Sequence, residues 1–367
     1  MRRISALLFA VAIVIASALS TPSALAAAPQ WRLQSVPGLS QGNPTFSGVS
    51  CPTTTVCVAV GSVEYFDSNG HGHTIQAIER WQGGQWHVQS APAANQDTAL
   101  NAVSCASASA CLAVGVLRSS TGTPHPLVER YNSGNWTVVL APSVSTASAL
   151  ESVSCSSSTV CTTVGMAHVD ANGNHLTPLI ERWSGGTWKQ HQAPKATVPA
   201  ALASVSCASA TSCVAVGFQQ SFMHALAIRW NGKAWTALSV PAKVQGLLSV
   251  SCATATICTA LAQRTAVRWA GHGPVTSSIP VPADVSSIRT QNISCPTADV
   301  CEVAGGYVNT HGNNLNLAAR LSVGHWTLQS PDNSGFDMAF AAISCSTSVT
   351  CEAVGGVDGS GLAERYS

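Results

Sequence analysis

Charge is the scarcest property of this chain. Asp, Glu, Lys and Arg make up 9% of its 367 residues, seventeen basic against sixteen acidic. That near balance leaves no electrostatic footprint for nucleic acid or anionic lipid. Helical periodicity is missing beyond the first thirty residues, and so is any later apolar run long enough to cross a bilayer. The P-loop, the Rossmann glycine pattern, HExxH and the GxSxG elbow are also absent. Those absences remove the usual signatures of nucleotide binding, zinc proteolysis and serine hydrolysis. No two cysteines stand as Cys-x-x-Cys, the common form of a redox pair.

What is present begins with MRRISALLFAVAIVIASALSTPSALAAAPQ. Arg2 and Arg3 precede an apolar run, and Ala24-Leu25-Ala26 supplies small residues at a cleavage site. The segment 1–26 therefore reads as a secretory signal peptide, with 27–367 as a single mature domain. Removing Arg2 and Arg3 leaves fifteen basic against sixteen acidic side chains, a net charge of −1. No cysteine near the cleavage site offers a lipid attachment point. The expected product is secreted, extracellular or associated with the cell envelope, with no membrane contact after cleavage. The remainder is rich in Ala, Ser, Thr and Gly, which suits a β-rich exported protein.

Fourteen cysteines fall as seven pairs: Cys51/Cys57, Cys105/Cys111, Cys155/Cys161, Cys207/Cys213, Cys252/Cys258, Cys295/Cys301 and Cys345/Cys351. Each pair is spaced by six, and successive pairs begin 43 to 54 residues apart, the period of a repeat of about four strands. Val-Ser or Ile-Ser stands before the first cysteine of all seven units. Four strand-sized pieces, a to d, follow. Strand a resembles LNAVSC, and strand b resembles CLAVG, ending in Gly in six units with Ala262 as the exception. Strand c carries Arg80, Arg130, Arg182, Arg229, Arg268, Arg320 and Arg365 in turn. Strand d opens on Trp86, Trp136, Trp188, Trp235 or Trp326, after a tight glycine-containing c–d turn such as WQGGQW.

Between the strand-b glycine position and the arginine the gap runs from six to nineteen residues, so length variation is concentrated in the b–c connection. The last unit stops at GLAERYS, after strand c, while APQWRLQSVPG near the start reads as a solitary strand d headed by Trp31. A terminal strand that completes the last unit closes a ring, and closure removes exposed sheet edges. The fold class expected is all-β: a seven-bladed β-propeller of four-stranded antiparallel blades, the N-terminal strand completing the last blade.

The Gly-rich c–d turns followed by Trp (Gly83-Gly84-Gln85-Trp86, Gly185-Gly186-Thr187-Trp188) resemble those of kelch and Asp-box propellers, although the Asp-box aspartate is absent. The whole unit, Ser-Cys-five-Cys-x-x-Val-Gly and later Glu-Arg-Trp, resembles Cys-paired repeats of secreted actinobacterial proteins. That resemblance spans essentially the mature chain and carries no catalytic residue with it.

Cysteines six apart across a tight a–b hairpin come opposite one another in an antiparallel pair, within disulfide reach. Zinc sites use shorter spacings and a matching second pair, so a staple that locks the turn is the reading for all seven pairs. The recurrent arginines, four of them after Glu79, Glu129, Glu181 and Glu364, suggest one hydrogen-bonding or stacking role per blade. Every tryptophan stands at a c or d position and is expected to pack.

Function is expected on the face carrying the b–c loops, since a rigid scaffold positions binding residues in its loops. Tyr65, Phe66, His71, His73, His168, His175, His224, Tyr307 and His311 form a polar-aromatic set suited to a glycan or a partner protein. The bland reading is that Asp-x-Asn-Gly at 67–70 and 170–173 only turns hairpins. Neither has the later glutamate of a calcium loop, so no metal or cofactor is assigned. A glycan hydrolase or lyase would need two convergent carboxylates, for which Glu64, Asp67, Asp170 and Asp358 are the candidates. The leading expectation is a monomeric secreted binding module for an extracellular glycan or envelope protein, without catalytic residues. A purely structural envelope protein is the remaining alternative.

Overall fold

The computed structural model describes residues 28–92, 96–139, 147–168, 176–194, 198–220, 222–335 and 337–367. The segment 1–26, with its expected signal peptide, lies outside them. Seven four-stranded antiparallel sheets form the blades of a propeller, each ordered a-b-c-d from strand to strand. Blade 2 is representative, with strands at Thr98–Ser107, Ala110–Arg118, Pro124–Asn132 and Asn135–Val138. Blade 7 takes Ala339–Thr347, Thr350–Val357 and Ser360–Tyr366 from the end of the chain and Trp31–Leu33 from its start. Trp31 pairs with Tyr366 and Leu33 with Glu364, so the seventh sheet is closed across the two ends.

Why the chain folds this way follows from burial. Each blade has a neighbour on both faces, so strand b reads as a continuous run rather than an alternation: Val56–Gly61 is buried throughout. The core consequently lies between blades. Val58, Val60 and Ile78 of blade 1 pack with Leu100, Val103, Ala113 and Leu127 of blade 2. Burying one such Leu or Ile contributes about 1.5–3 kcal/mol.

A disulfide joins each expected pair across its a–b hairpin, and no cysteine is free. A loop this small stabilises by about 2 kcal/mol through the unfolded chain.

The pairing agrees with the sequence, and burial adds to it: Cys57, Cys213, Cys258, Cys301 and Cys351 are at most 2% exposed and belong to the core. Cys111 and Cys161 are buried as well. The reason is that the second cysteine lies on strand b, which has a neighbouring blade over each face. Cys57 packs in one cluster with Val354 of blade 7, Cys213 with Val164 of blade 3, and Cys258 with Val214 of blade 4. Cys301 does so with Leu261 of blade 5, and Cys351 with Ala304 of blade 6. These five are therefore packing residues as much as staples.

The serine before each first cysteine has its own task. Its Oγ accepts the backbone N–H of the first cysteine in the next blade at 2.9–3.0 Å, from Ser50 to Cys105 through to Ser344 and Cys51. Seven such bonds form an unbroken ring around the channel.

Strand a bulges in the middle. Its register shifts between Phe46 and Gly48, Leu100 and Ala102, Leu150 and Ser152, Leu202 and Ser204, and Phe340 and Ala342. The strand-b glycine answers that bulge: a methyl group on Gly115 would overlap the Ala99 carbonyl oxygen. Blade 5 is the exception. Its strand a begins only at Ser249, opposite Leu261, and the residue at the glycine position there is Ala262.

Candidate functional site

The two faces of the ring differ in kind. On the stapled face, five strand-c arginines reach into the next blade and donate to the third residue after its first cysteine. Arg80, Arg130 and Arg182 bond the carbonyls of Ala108, Ser158 and Ala210 at 2.8, 3.4 and 2.7 Å. Arg320 and Arg365 bond those of Ser348 and Thr54. The same five guanidiniums lie 4.7–5.9 Å from Tyr131, Trp183, Trp230, Tyr366 and Trp81 of the next blade. A cation held over a ring adds to the hydrogen bond. At the step from blade 4 to blade 5, Ser212 Oγ donates to Ala255 O at 3.0 Å instead. Arg229 there keeps a buried Nε without a partner among the described residues. Arg268 precedes blade 6, where Leu321 stands in the aromatic's position. The strand-d tryptophans pair across the sheet with strand-c residues: Trp86 with Trp81, Trp136 with Tyr131, Trp188 with Trp183, Trp235 with Trp230, Trp326 with Leu321 and Trp31 with Tyr366.

On the opposite face the b–c and d–a connections meet. Backbone bonds from Arg118 N to Asp97 O, Gln220 N to Pro199 O and Thr310 N to Asp284 O tie them together. Blade 1 has the tallest hairpin, and most of its expected loop is strand: Tyr65 pairs with His73 and Phe66 with Gly72. Extra residues in a b–c connection can lengthen two strands before they lengthen a loop, because the added backbone groups then bond one another. Phe66 is 78% exposed. Tyr65 stacks on His73, which lies 3.6 Å from Asp67 and 3.3 Å from Asp97. His71 Nδ1 is 3.2 Å from the same Asp67 carboxylate.

Asp67 is occupied by turn geometry. Its carboxylate accepts the backbone N–H groups of His71 and Asn69 at 2.9 and 2.8 Å, which hold its pKa down at about 2. Asp358 and Gly359 both have positive φ, 45° and 72°, in the two-residue hairpin that joins strands b and c of blade 7. Glu64 is exposed on strand b of blade 1. Asp170 and His175 lie outside the described residues. His168 ends strand b of blade 3, exposed His224 begins strand c of blade 4, and exposed His311 sits in the blade 6 turn. Tyr307 is only 5% exposed, so it offers little surface. Among the described residues, no group of three or more His, Cys, Asp or Glu is placed to hold a metal ion, and no helix is long and apolar enough to cross a membrane.

Two cavities lie beyond the loop residues singled out in the sequence. The first is the central channel, a space of about 190 Å³ lined in part by Ser47, Asn101, Glu151, Ser204 and Asn292. The bulges re-aim the residue four before each first cysteine, which is Ser47, Asn101, Glu151 or Ala203 in blades 1 to 4. Burial raises the Glu151 pKa above the usual carboxylate range, and Asn101 Nδ2 donates to it at 3.4 Å. The signal was visible: this position varies along a strand whose other residues repeat.

The second is a cleft of about 380 Å³ where blade 5 is shortest. Strands b and c of that blade are joined by Gln263 and Arg264 alone, because Ala262 already pairs with Thr265. Phe222, Leu248 and Ile288 give the cleft apolar walls, and exposed Lys243, Arg264 and Arg289 give it charge. Arg289 belongs to a two-residue bulge between Ile288 and Gln291. Phe222 has a φ of 73°, a strained value for an aromatic residue. It is held there by stacking on Phe218 at 3.8 Å and by Gly246 N–H donating to its carbonyl at 3.0 Å. Leu248 lines the channel as well, so the two cavities adjoin.

No family model matches the chain, and no curated protein matches it. Solved structures do. A structure described as YCF48 bound to D1 peptide is 14% identical, with a TM-score of 0.58 over 95% of this chain and 99% of that one. The WD40 β-propeller domain of Doa1 is 10% identical, with a TM-score of 0.55 over 92% and 97%. YCF48 from Cyanidioschyzon merolae is 12% identical, with a TM-score of 0.55 over 92% and 98%. At these identities the likeness is one of fold.

Proposed function

We propose that this propeller is a secreted, non-catalytic recognition module that takes an extracellular glycan or envelope protein on its b–c face. The observation that carries this reading is the contrast between the faces. The stapled face repeats one device, a disulfide hairpin, in every blade, tied in five of them to an arginine of the blade before. The b–c face departs from the repeat in hairpin length, in exposed aromatics such as Phe66 and in the blade 5 cleft. Variation on a rigid frame is how binding surfaces are built. Catalysis finds little support, since Asp67 and Asp358 serve their own hairpin turns. One propeller of similar fold is described as bound to a peptide, a precedent for ligand binding and no more.

The test is capture of purified envelope polysaccharide and of extracted envelope proteins by immobilised 27–367. It is repeated with Tyr65→Ala/Phe66→Ser and with Arg264→Gln/Arg289→Gln on the b–c face, and with Thr55→Glu and Ser109→Glu in the stapled turns. Capture lost with at least one b–c face pair and kept with the stapled-turn variants is the expected result. Capture lost only with the stapled-turn variants, or unaffected by all four, would overturn the assignment.

A further inference from the structure

We propose that the blade 5 cleft binds the C-terminal carboxylate of an extended peptide, with the terminal apolar side chains seated between Phe222, Leu248 and Ile288. This rests on the reading of the b–c face as the recognition face and gives it one place and one chemistry.

The charge distribution carries the argument. Of seventeen basic residues, Arg2 and Arg3 lie in the leader and seven occupy strand c; of the eight others, Lys243, Arg264 and Arg289 line this one cleft. Among the described residues none of these three side chains has an ion-pair or hydrogen-bond partner; Arg264 is engaged only through its backbone, whose carbonyl accepts the Ile279 N–H. Two arginines and a lysine lining one cleft without a counter-ion suit a carboxylate, which accepts charge-assisted, bidentate bonds from arginine. Elsewhere on this face the cation beside the blade 2 connection, Arg118, stands alone, its guanidinium on Gly122 O, and the carboxylate side chains beside the connections include Asp67, Asp97 and Asp358. A repeating polyanion would need a continuous basic track, whereas a single terminal carboxylate needs one spot.

Shape agrees with charge. About 380 Å³ is at the small end of ligand clefts, fit for a few residues rather than a folded domain. Apolar walls beside the cations ask for a ligand that is apolar next to its charge, which inorganic anions and acidic sugars are not. The walls are set in advance: Phe222 is fixed in a strained backbone conformation, and the b–c hairpin of blade 5, with the fewest residues between the strand-b glycine position and the arginine, leaves the space open. Strain held by surrounding contacts marks functional positions.

The test uses the chain 27–367 and a degenerate mixture of fluorescent heptapeptides with free C-terminal carboxylates, beside the same mixture amidated at the C-terminus. Retained peptides are sequenced, and their binding is followed by anisotropy at low and high salt. Free-acid peptides ending in apolar residues are expected to bind, with the amides weaker by about tenfold or more. Arg264→Gln/Arg289→Gln should reduce binding by a similar factor, and Thr55→Glu should leave it unchanged. Equal binding of acid and amide would overturn the proposal, as would binding of poly-glutamate or polyphosphate that ignores the apolar end. If the double variant does not fold, the acid-against-amide comparison on the unaltered chain decides alone. Envelope capture that depends on Tyr65 and Phe66 but not on Arg264 and Arg289 would sink this cleft while leaving the broader reading standing.

Discussion

The Ser50 hydroxyl accepts the Cys105 backbone N–H at 2.9 Å across the boundary between blades 1 and 2. Six equivalent bonds close the circle, so each serine satisfies a backbone donor that its own sheet leaves free. Ser50→Ala and Ser104→Ala should each cost about 1 kcal/mol or more, because the part-buried N–H opposite is left unpaired. Ser107→Ala, in an exposed a–b turn, is the control and should change stability by less than about 0.5 kcal/mol. Denaturant midpoints of the oxidised protein measure both, and equal midpoints for Ser104→Ala and Ser107→Ala would remove the ring from the account.

Gly115 and Ala262 occupy the same position in two blades and should respond very unequally to exchange. A Cβ at Gly115 runs into the Ala99 carbonyl and the Leu100 backbone, where no flexible side chain can yield. Gly115→Ala should therefore cost more than about 4 kcal/mol, or leave no folded product. Ala262→Gly loses only backbone entropy and a methyl contact, about 1 kcal/mol. Yields of oxidised, thiol-free protein and melting temperatures separate the two. A well-folded Gly115→Ala would mean that the bulge beside it is absent.

Buried glutamates set the pH dependence. Glu129 accepts from Gln76 Nε2 at 3.1 Å, and Glu364 accepts from Asn316 Nδ2 at 3.0 Å, each donor standing on strand c of the preceding blade. At that place blade 2 has Pro126 and blade 7 has Gly361, and Glu181 and Glu79 have no hydrogen-bond partner for their carboxyls among the described residues. Burial pushes Glu181 to about 7 and Glu79 to about 8. Raised values mean the folded state keeps protons that the unfolded chain releases above its ordinary 4.5. The associated stability is fully present below that value and is lost as pH rises through 7 to 8. The melting temperature should thus fall between about pH 5 and about pH 9. Glu181→Ile, copying Ile228 at the same place in blade 4, should flatten that fall and stabilise the alkaline protein by on the order of 1–3 kcal/mol. A variant with an unchanged pH profile would show that Glu181 is ionised and solvated after all.

Those glutamates mark the limit of what the sequence discloses. Repeat spacing was sufficient for blade number, strand order, closure by Trp31–Leu33 and all seven disulfides, because each is a consequence of periodicity. It did not reveal that Cys57 or Cys301 also packs against the blade before, since a spacing of six describes only the hairpin that the pair closes. The recurrent Val-Ser and Arg were visible as regularities, yet their partners lie in the next blade, some 28 residues from the arginine and about fifty from the serine. No local pattern names a partner at that distance. The cleft was missed for a different reason. Long b–c connections such as the one holding Tyr65 and His73 draw attention, while an opening arises where a connection is short. Two signals did point there: the six-residue gap before Arg268 and the lone Ala262 among the strand-b glycines.

Phe222 permits a test of the cleft that needs no ligand. Its φ of 73° costs a bulky residue on the order of 1–2 kcal/mol, which Gly escapes. Stacking on Phe218 returns about 0.5–1.5 kcal/mol. Phe222→Gly relieves strain while losing the stack, so its stability should stay near that of the parent. Phe222→Ala loses the stack and keeps the strain, so it should fall below the glycine variant by about 1 kcal/mol or more. That ordering, Gly above Ala, reverses the usual ranking in β structure and is read directly from denaturant midpoints. Both variants remove the aromatic wall, so both should lose the free-acid peptides even though only one loses stability. If alanine proves the more stable, the residue is not held at positive φ, and the claim that the cleft wall is set in advance fails with it.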